Sequence, residues 1–334
     1  MTRDALKLKF LEESGWADAK LEPMGSDASK RSYDRLAGKH GQAVLMNAPY
    51  EVGEDIRPFL HVSKLLDQAG LSAPRILARD EANGFLLLED LGDALYADYI
   101  KAHPEKETEL YAHAIDLLAG IGTVSQEDLN PYDETVYLTE ARLFLDWYMP
   151  YATGEPLRRD KRAMFSEILA VTLRDIPHDN RVITLRDYHA ENLIWLPSRE
   201  GVKRVGLLDY QDALSGHPAY DLVSLLEDAR RDTSAELQAE MYTRYLDKSG
   251  MNDVAFRQAY DVLGAQRNLK IVGIFTRLCC RDGKQTYPDL IPRVWNHLMR
   301  DLTHPSLLKL RDWIEAHAPA PSPKIIERIK AQHA

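Results

Sequence analysis

The sequence predicts an α+β protein in two parts. The first is a small N-terminal lobe, residues 1–90, built on a five-stranded antiparallel sheet; the second is a larger, mainly helical lobe, residues 91–334. Five short apolar runs bounded by turn residues fall before residue 91. Beyond it, apolar residues recur at helical spacing through most of the chain. One patch, 182–213, interrupts the helices with two strand-like apolar runs. A length of 334 residues suits two lobes better than one core.

Residues 3–15 read as a helix, and strands follow near 21–25, 31–37 and 42–48. Ile56, Phe59, Leu60, Val62, Leu66 and Ala69 put a helix over 54–69, which Ala73-Pro74 ends. RILARD and GFLLLED pair across the turn Asn83-Gly84. Helices are expected over 95–102, 106–122, 138–149, 160–175, 219–231, 234–248, 253–281 and 288–300. APAPSP, 318–323, is a polyproline-like spacer before a last short helix. The patch at 182–213 reads as a β-hairpin inside a helical lobe.

Composition excludes several classes. A net charge of −10 repels phosphate backbones and anionic membrane surfaces, so neither nucleic acid nor membrane is an expected partner. The two cysteines, Cys279 and Cys280, are adjacent and form neither a disulfide framework nor a zinc set. The charged amphipathic N-terminus lacks the apolar core of a signal peptide, and no apolar stretch is long enough to span a bilayer. A cytoplasmic location is expected, with no obligate protein partner.

The chemistry sits in the interrupting patch. Phosphoryl transfer needs a carboxylate at the acceptor hydroxyl and oxygen ligands for Mg²⁺. Asp187-Tyr188-His189-Ala190-Glu191-Asn192 has the D-x-x-x-x-N spacing, and Asp209-Tyr210-Gln211 follows the apolar run VGLL at the place of a metal-binding aspartate. Each motif alone occurs by chance. Their order, context and seventeen-residue separation make the set specific. His189 and Glu191 do not extend it to a transition-metal site, because Mg²⁺ prefers oxygen and no His/Cys cluster accompanies them.

LRDYHAENLIWLP followed by VGLLDYQDALSGHPAYDLVSLLEDARRD resembles the aminoglycoside phosphotransferase-like (choline kinase-like) superfamily. Within it the chain most resembles the bacterial anomeric kinases of cell-wall recycling, which phosphorylate C1 of N-acetylmuramate and N-acetylglucosamine. The resemblance also covers GSDASKRSY, VLMNAP, LLLEDLGD and QRNLKIVGIFTRLCCRDGK. It implies a protein-kinase-like two-lobed fold and the cofactors ATP and Mg²⁺. It further implies Asp187 as catalytic base, Asn192 and Asp209 as metal ligands, and Asp221 as the structural aspartate bracing the catalytic loop. Glu89 and Leu91, flanking Asp90, resemble the hinge whose backbone receives adenine. Gly25, Ser26, Asp27, Ala28, Ser29 and Lys30, with Arg31, resemble the loop over the phosphates. That loop has one glycine and reads equally as a β-turn.

Two departures stand out. Leu185 and Arg186 precede Asp187 where the superfamily usually has His two residues before it, which weakens any transfer of antibiotic specificity. Met46 stands where most kinases carry a phosphate-binding Lys, so cationic charge on the phosphates has to come from Mg²⁺ and from Lys30 or Arg31.

Acceptor candidates are fewer and each has a bland counterpart. Asp228 and Arg231 follow an apolar helix and are either a solvated helix end or sugar contacts, an Arg suiting the lactyl carboxylate of muramate. Arg267, Lys270 and Arg277 form a basic stripe, either anion-binding or salt-bridged to acidic neighbours. Glu140 and Trp147 lie on an aromatic helix that is either core or a wall for a sugar ring. The leading expectation is a kinase for an amino sugar. A kinase for an aminoglycoside, choline or another small alcohol is the second, and a nucleotide-binding pseudokinase, motivated by Met46, the third.

Overall fold

The computed structural model describes residues 1–25, 30–177 and 181–333. In chain order its elements are helix α1 (Arg3–Glu13) and strands β1 (Lys20–Met24), β2 (Ser32–Gly38) and β3 (Gly41–Asn47), then α2 (Arg57–Gln68), β4 (Ile76–Asp80) and β5 (Phe85–Glu89). Next come α3 (Tyr96–Ala102), α4 (Glu107–Gly120), α5 (Glu134–Leu143), a π-helical turn (Phe144–Tyr148), α6 (Met149–Thr153) and α7 (Arg159–Arg174). Four short strands follow: β6 (Val182–Thr184), β7 (Leu193–Trp195), β8 (Val205–Leu207) and β9 (Leu214–Gly216). The remainder is helical: α8 (Ala219–Leu226), α9 (Ala235–Ser249), α10 (Asp253–Asp282), α11 (Ile291–Asp301), α12 (Leu308–His317) and α13 (Pro323–Lys330).

Packing divides the chain into two compact units. The first comprises Met1–Ala114, Thr123–Ser125 and Glu191–Ala213; the second comprises Ile115–Gly122, Gln126–Ala190 and Leu214–Ala334. The division differs from a cut after residue 90, because 91–114 and the β7–β8 segment pack with the first unit. Backbone bridges show why: Ser72 pairs with Gly206, and Leu95 with Ile194.

The first unit holds the expected antiparallel sheet, in the order β1-β2-β3-β5-β4. Strand alternation gives it two faces. Leu36, Ala43, Leu45, Phe85 and Leu87 pack with Phe10, Leu11 and Trp16 from the α1 region. Tyr33, Met46 and Leu86 belong to the other face, since Tyr33 lies opposite Met46 and Met46 opposite Leu86. Gly84 closes the β4–β5 turn at φ +70°, and a Cβ there would stand 2.2 Å from the Ala48 carbonyl oxygen. That is a position for glycine alone.

The second unit is organised around the 30-residue α10. Two of its glycines admit neighbours where a side chain would not fit. A Cβ on Gly273 would lie 2.3 Å from the Leu143 carbonyl carbon, and one on Gly264 would lie 2.7 Å from Asp301 Oδ2.

Several expected bounds shift. The helix expected over 219–231 stops at Leu226, and the one expected over 138–149 begins at Glu134 and passes through the π turn. Helix α12 was not anticipated. The single hairpin expected over 182–213 is two ladders: β7 pairs with β8, while β6 pairs with β9 beyond it. Three-residue strands carry too little sequence to reveal their partners.

Candidate active site

Asn192 and Asp209 belong to the first unit and stand at one end of the β7–β8 ladder. Leu193 is in register with Leu207, and the Leu208 amide donates to the Asn192 carbonyl at 3.0 Å, so the two residues leave adjacent strands together. Asp209 has φ 54°, a left-handed backbone unusual for a residue with a side chain. Its Oδ1 accepts from Gln211 Nε2 at 2.9 Å. The next residue anchors the turn: Tyr210 hydroxyl bonds Ser63 Oγ at 2.8 Å, and its ring stacks on Phe59 at 5.0 Å. Helix α2 thereby fixes the turn that carries Asp209. A carboxylate and an amide on adjacent strand ends carry hard oxygen donors of the kind that Mg²⁺ takes. Among the described residues no three His, Cys, Asp or Glu side chains cluster as a metal set.

The nucleotide-loop residues Ser26, Asp27, Ala28 and Ser29 lie outside the described residues. Gly25 ends the described stretch after β1. The Lys30 amide donates to Glu54 Oε1 at 2.9 Å, and Arg31 Nε donates to Glu54 Oε2 at 2.7 Å. Glu89 closes β5 and pairs with Arg75 at 3.2 Å and Arg199 at 2.8 Å. Its neighbour Asp90 pairs with Arg35 at 2.7 Å, and Leu91 is half-buried against Gly206.

Asp187 belongs to the second unit, on the loop that leaves β6. Asp221 on α8 holds that loop by its backbone: its carboxylate accepts from the amides of Leu185 at 2.6 Å and Arg186 at 2.8 Å. Burial pushes the Asp221 carboxyl up to about 7, against the two amides and Arg267, which favour the carboxylate. Ser224, one turn on, donates to the Arg186 carbonyl at 3.2 Å and accepts from Arg267 Nη2 at 2.7 Å. Asp228 accepts from the Ala190 amide at 3.4 Å and from the Arg230 amide at 2.8 Å. Asp221 and Ser224, one turn apart on α8, and Asp228 just beyond its end thus give three grips on the loop. Arg186 is held at φ 71°, directly before Asp187.

Nearby cations act on the Asp187 carboxylate. Burial disfavours its charge, but Lys270, His189, Arg267 and Arg186 together outweigh burial and hold the carboxyl below its ordinary value. Glu140 is treated alike. Burial opposes its charge and Lys270 and Arg186 restore it, with Lys270 Nζ 3.1 Å away and bonds from Arg186 and the Tyr132 hydroxyl. Lys270 also donates to the Tyr220 hydroxyl at 3.3 Å. Of the stripe on α10, Lys270 is ion-paired with Glu140 and Arg267 is bonded to Ser224, and both are buried.

Of the acceptor candidates, Glu140, Asp228 and Arg267 join this network. Arg231 is half-buried in the loop after α8, beside Asp232, which pairs with Arg293 at 2.5 Å. Trp147 is half-buried in the π turn and makes none of the described contacts with Asp187 or Glu140. Its neighbours Phe144 and Tyr148 are core, with the Tyr148 hydroxyl on the Pro319 carbonyl at 2.7 Å. Sequence reasoning noted Arg186 only as a departure before Asp187, and passed over Tyr132 and Ser224. Only Ser224 had a local signal, one helical turn after Asp221.

His189 gives this loop a pH signature. Burial, reinforced by Arg230 and opposed by Asp228, pushes its pKa down to about 4 from 6.5. The unfolded chain binds a proton between those values that the folded chain refuses. The linked stability is present above pH ~6.5 and is lost as pH falls towards ~4. His189→Gln should flatten that limb by about 1–3 kcal/mol, measured as thermal melts of both proteins across the window. Parallel profiles would show that the ring does not titrate this way.

The model of the phosphotransferase enzyme family matches residues 20–260. The chain belongs to this family. Among its relatives, the N-acetylmuramate/N-acetylglucosamine kinase of Caulobacter vibrioides is 37% identical, covering 95% of this chain and 97% of the relative. The kinase of the same name from Pseudomonas aeruginosa is 38% identical over 85% of each. Two solved structures share the fold of this phosphotransferase. The choline kinase LicA of Streptococcus pneumoniae has a TM-score of 0.64 at 14% identity, covering 91% of this chain and 99% of that one. A putative aminoglycoside phosphotransferase of Ralstonia eutropha has a TM-score of 0.64 at 16% identity, covering 95% and 99%. The fold is therefore the protein-kinase-like one that the sequence pattern implies. No described helix is long and apolar enough to cross a membrane.

Proposed function

We propose that this phosphotransferase is a cytoplasmic, ATP-dependent kinase that phosphorylates the anomeric hydroxyl of an amino sugar, N-acetylmuramate or N-acetylglucosamine. The observation that carries the reading is the setting of Asp187: a loop carboxylate braced by Asp221 and acted on by Arg186, Arg267 and Lys270. Relatives of that printed name, 32% to 38% identical over most of the chain, support the acceptor.

Asp187 orients the acceptor hydroxyl and takes its proton as the bond to phosphorus forms. Its lowered pKa makes it a hydrogen-bond acceptor first and a proton acceptor late, as a loose phosphoryl transition state allows. Asn192, five residues on, and Asp209 would hold Mg²⁺, which when bound with ATP neutralises charge on the phosphates. Arg186 and Lys270 pair with Glu140 and, with Arg267, act on Asp187, so the cluster is not the acidic pocket that the polycationic acceptors of antibiotic kinases need. It suits a neutral or anionic sugar.

The test is transfer of radiolabelled phosphate from ATP to N-acetylmuramate, N-acetylglucosamine, an aminoglycoside panel and choline, with phosphorus NMR of the product. Label on C1 of the amino sugars is expected. Label on an antibiotic or on choline, with none on an amino sugar, would overturn the acceptor.

A further inference from the structure

We propose that the helical unit carries a second ligand site, formed by Arg181 and Tyr245 on the wall of a cavity, for a small molecule with one oxyanionic group on an apolar body. The oxyanion is a carboxylate or a phosphate monoester. The site shares no residue with the Asp187 network and stands apart from the kinase reading above.

A cavity of about 690 Å³ lies within the second unit, a size that takes a small organic ligand. Its walls come from the ends of five elements: the last turn of α4, the start of β6, the residues leading into α8, the end of α9 and the start of α10. Leu118, Val182, Pro218 and Phe256 make much of the wall apolar.

Two polar side chains on this wall have no protein partner among the described residues. Tyr245 is only 2% exposed and its ring stacks on Phe256 at 5.0 Å, yet nothing described there hydrogen-bonds its hydroxyl. Buried hydroxyls are normally bonded, so an idle one on a cavity wall marks a place for a ligand atom. Arg181 is half-buried. Its carbonyl accepts from Gln126 Nε2 at 2.7 Å, which fixes the backbone and leaves the guanidinium to the cavity. Nearby arginines on the flanking helices are treated differently: Arg244 is held by Asp116 at 2.7 Å and Arg257 by Asp261 at 2.5 Å.

The charge of the wall selects the ligand. No Asp or Glu is among the described residues that line it, so Arg181 sets its sign. The first turn of the 30-residue α10, where Asn252 caps the Ala255 amide at 3.1 Å, adds partial positive charge at the same wall. A guanidinium and a phenolic hydroxyl are donors that a carboxylate or phosphate accepts from, whereas an amine would find no acid to meet.

The competing account is a water-filled gap between helix ends. Calorimetric titration of the full chain with 4-phenylbutyrate, phenyl phosphate, inorganic phosphate and 4-phenylbutylamine separates the two. At least one of the two aryl anions is expected to bind, and the tighter of them identifies the oxyanion. Inorganic phosphate should bind more weakly for want of an apolar body, and the amine should not bind. Arg181→Met should weaken the bound anion by about ten- to a hundred-fold, and Tyr245→Phe by about two- to ten-fold. Ala255→Trp, which fills the cavity, should remove binding, and Asp187→Asn should leave it unchanged. Thermal melts report that each variant is folded. Wild-type protein that binds neither aryl anion would overturn the proposal. So would a folded Arg181→Met or Ala255→Trp variant that binds as wild type does, equal binding of the amine, or loss of binding in Asp187→Asn.

Discussion

Asp187→Asn is expected to lower kcat for amino-sugar phosphorylation by about 10²–10⁴-fold while ATP binding stays unchanged within error. The substitution keeps the size of the side chain and its capacity to accept a hydrogen bond, and removes its capacity to take a proton. It also removes one negative charge from among Arg186, Arg267 and Lys270. Glu140 still pairs with Arg186 and Lys270, and the loop is gripped through its backbone by Asp221, Ser224 and Asp228, none of which is altered. The fold should therefore survive, and the loss should appear in the chemical step. Single-turnover kinetics beside calorimetric ATP titration measures this. Turnover at the wild-type rate would remove Asp187 from the mechanism.

Asp209→Asn should reduce turnover by about a hundred-fold or more and move the Mg²⁺ midpoint to higher concentration. Asparagine tolerates the left-handed backbone that Asp209 adopts at φ 54°, and Tyr210 stays anchored on Ser63 and Phe59, so the turn keeps its shape. What is lost is a formal negative charge that the β7–β8 end offers a divalent cation. Adenosine affinity measured without metal should not change. The check is a Mg²⁺ titration of activity for both proteins. Superimposable curves would mean that the carboxylate is not a metal ligand.

Much of this site was legible because its residues sit at fixed sequence offsets. Asp187, Asn192 and Asp209 are tied to short strands and turns, and Asp221 begins a helix. Local spacing encodes such positions well. The Arg31–Glu54 pair spans 23 residues, and only the register of β2 against β3 reveals that Tyr33 faces Met46. The Glu140 cluster draws on α5, α10, the loop after β6 and Tyr132, and no periodicity links them. The fold was legible to a similar degree. The five-stranded sheet follows from alternation and turns, whereas the pairing of β6 with β9 and the early end of α8 at Leu226 depend on tertiary packing.

The two glycine notches on α10 have a consequence for how acceptor preference could change. Gly264 and Gly273 are nine residues apart, about 14 Å along the axis, and they bracket Arg267 and Lys270. With Asp301 seated in one notch and the Leu143 backbone in the other, the helix can neither slide nor rotate without a clash at both ends. The two cations are consequently keyed in position like wards in a lock. A shift to another acceptor would have to come by exchanging the side chains themselves, because the scaffold beneath them has no room to re-aim them.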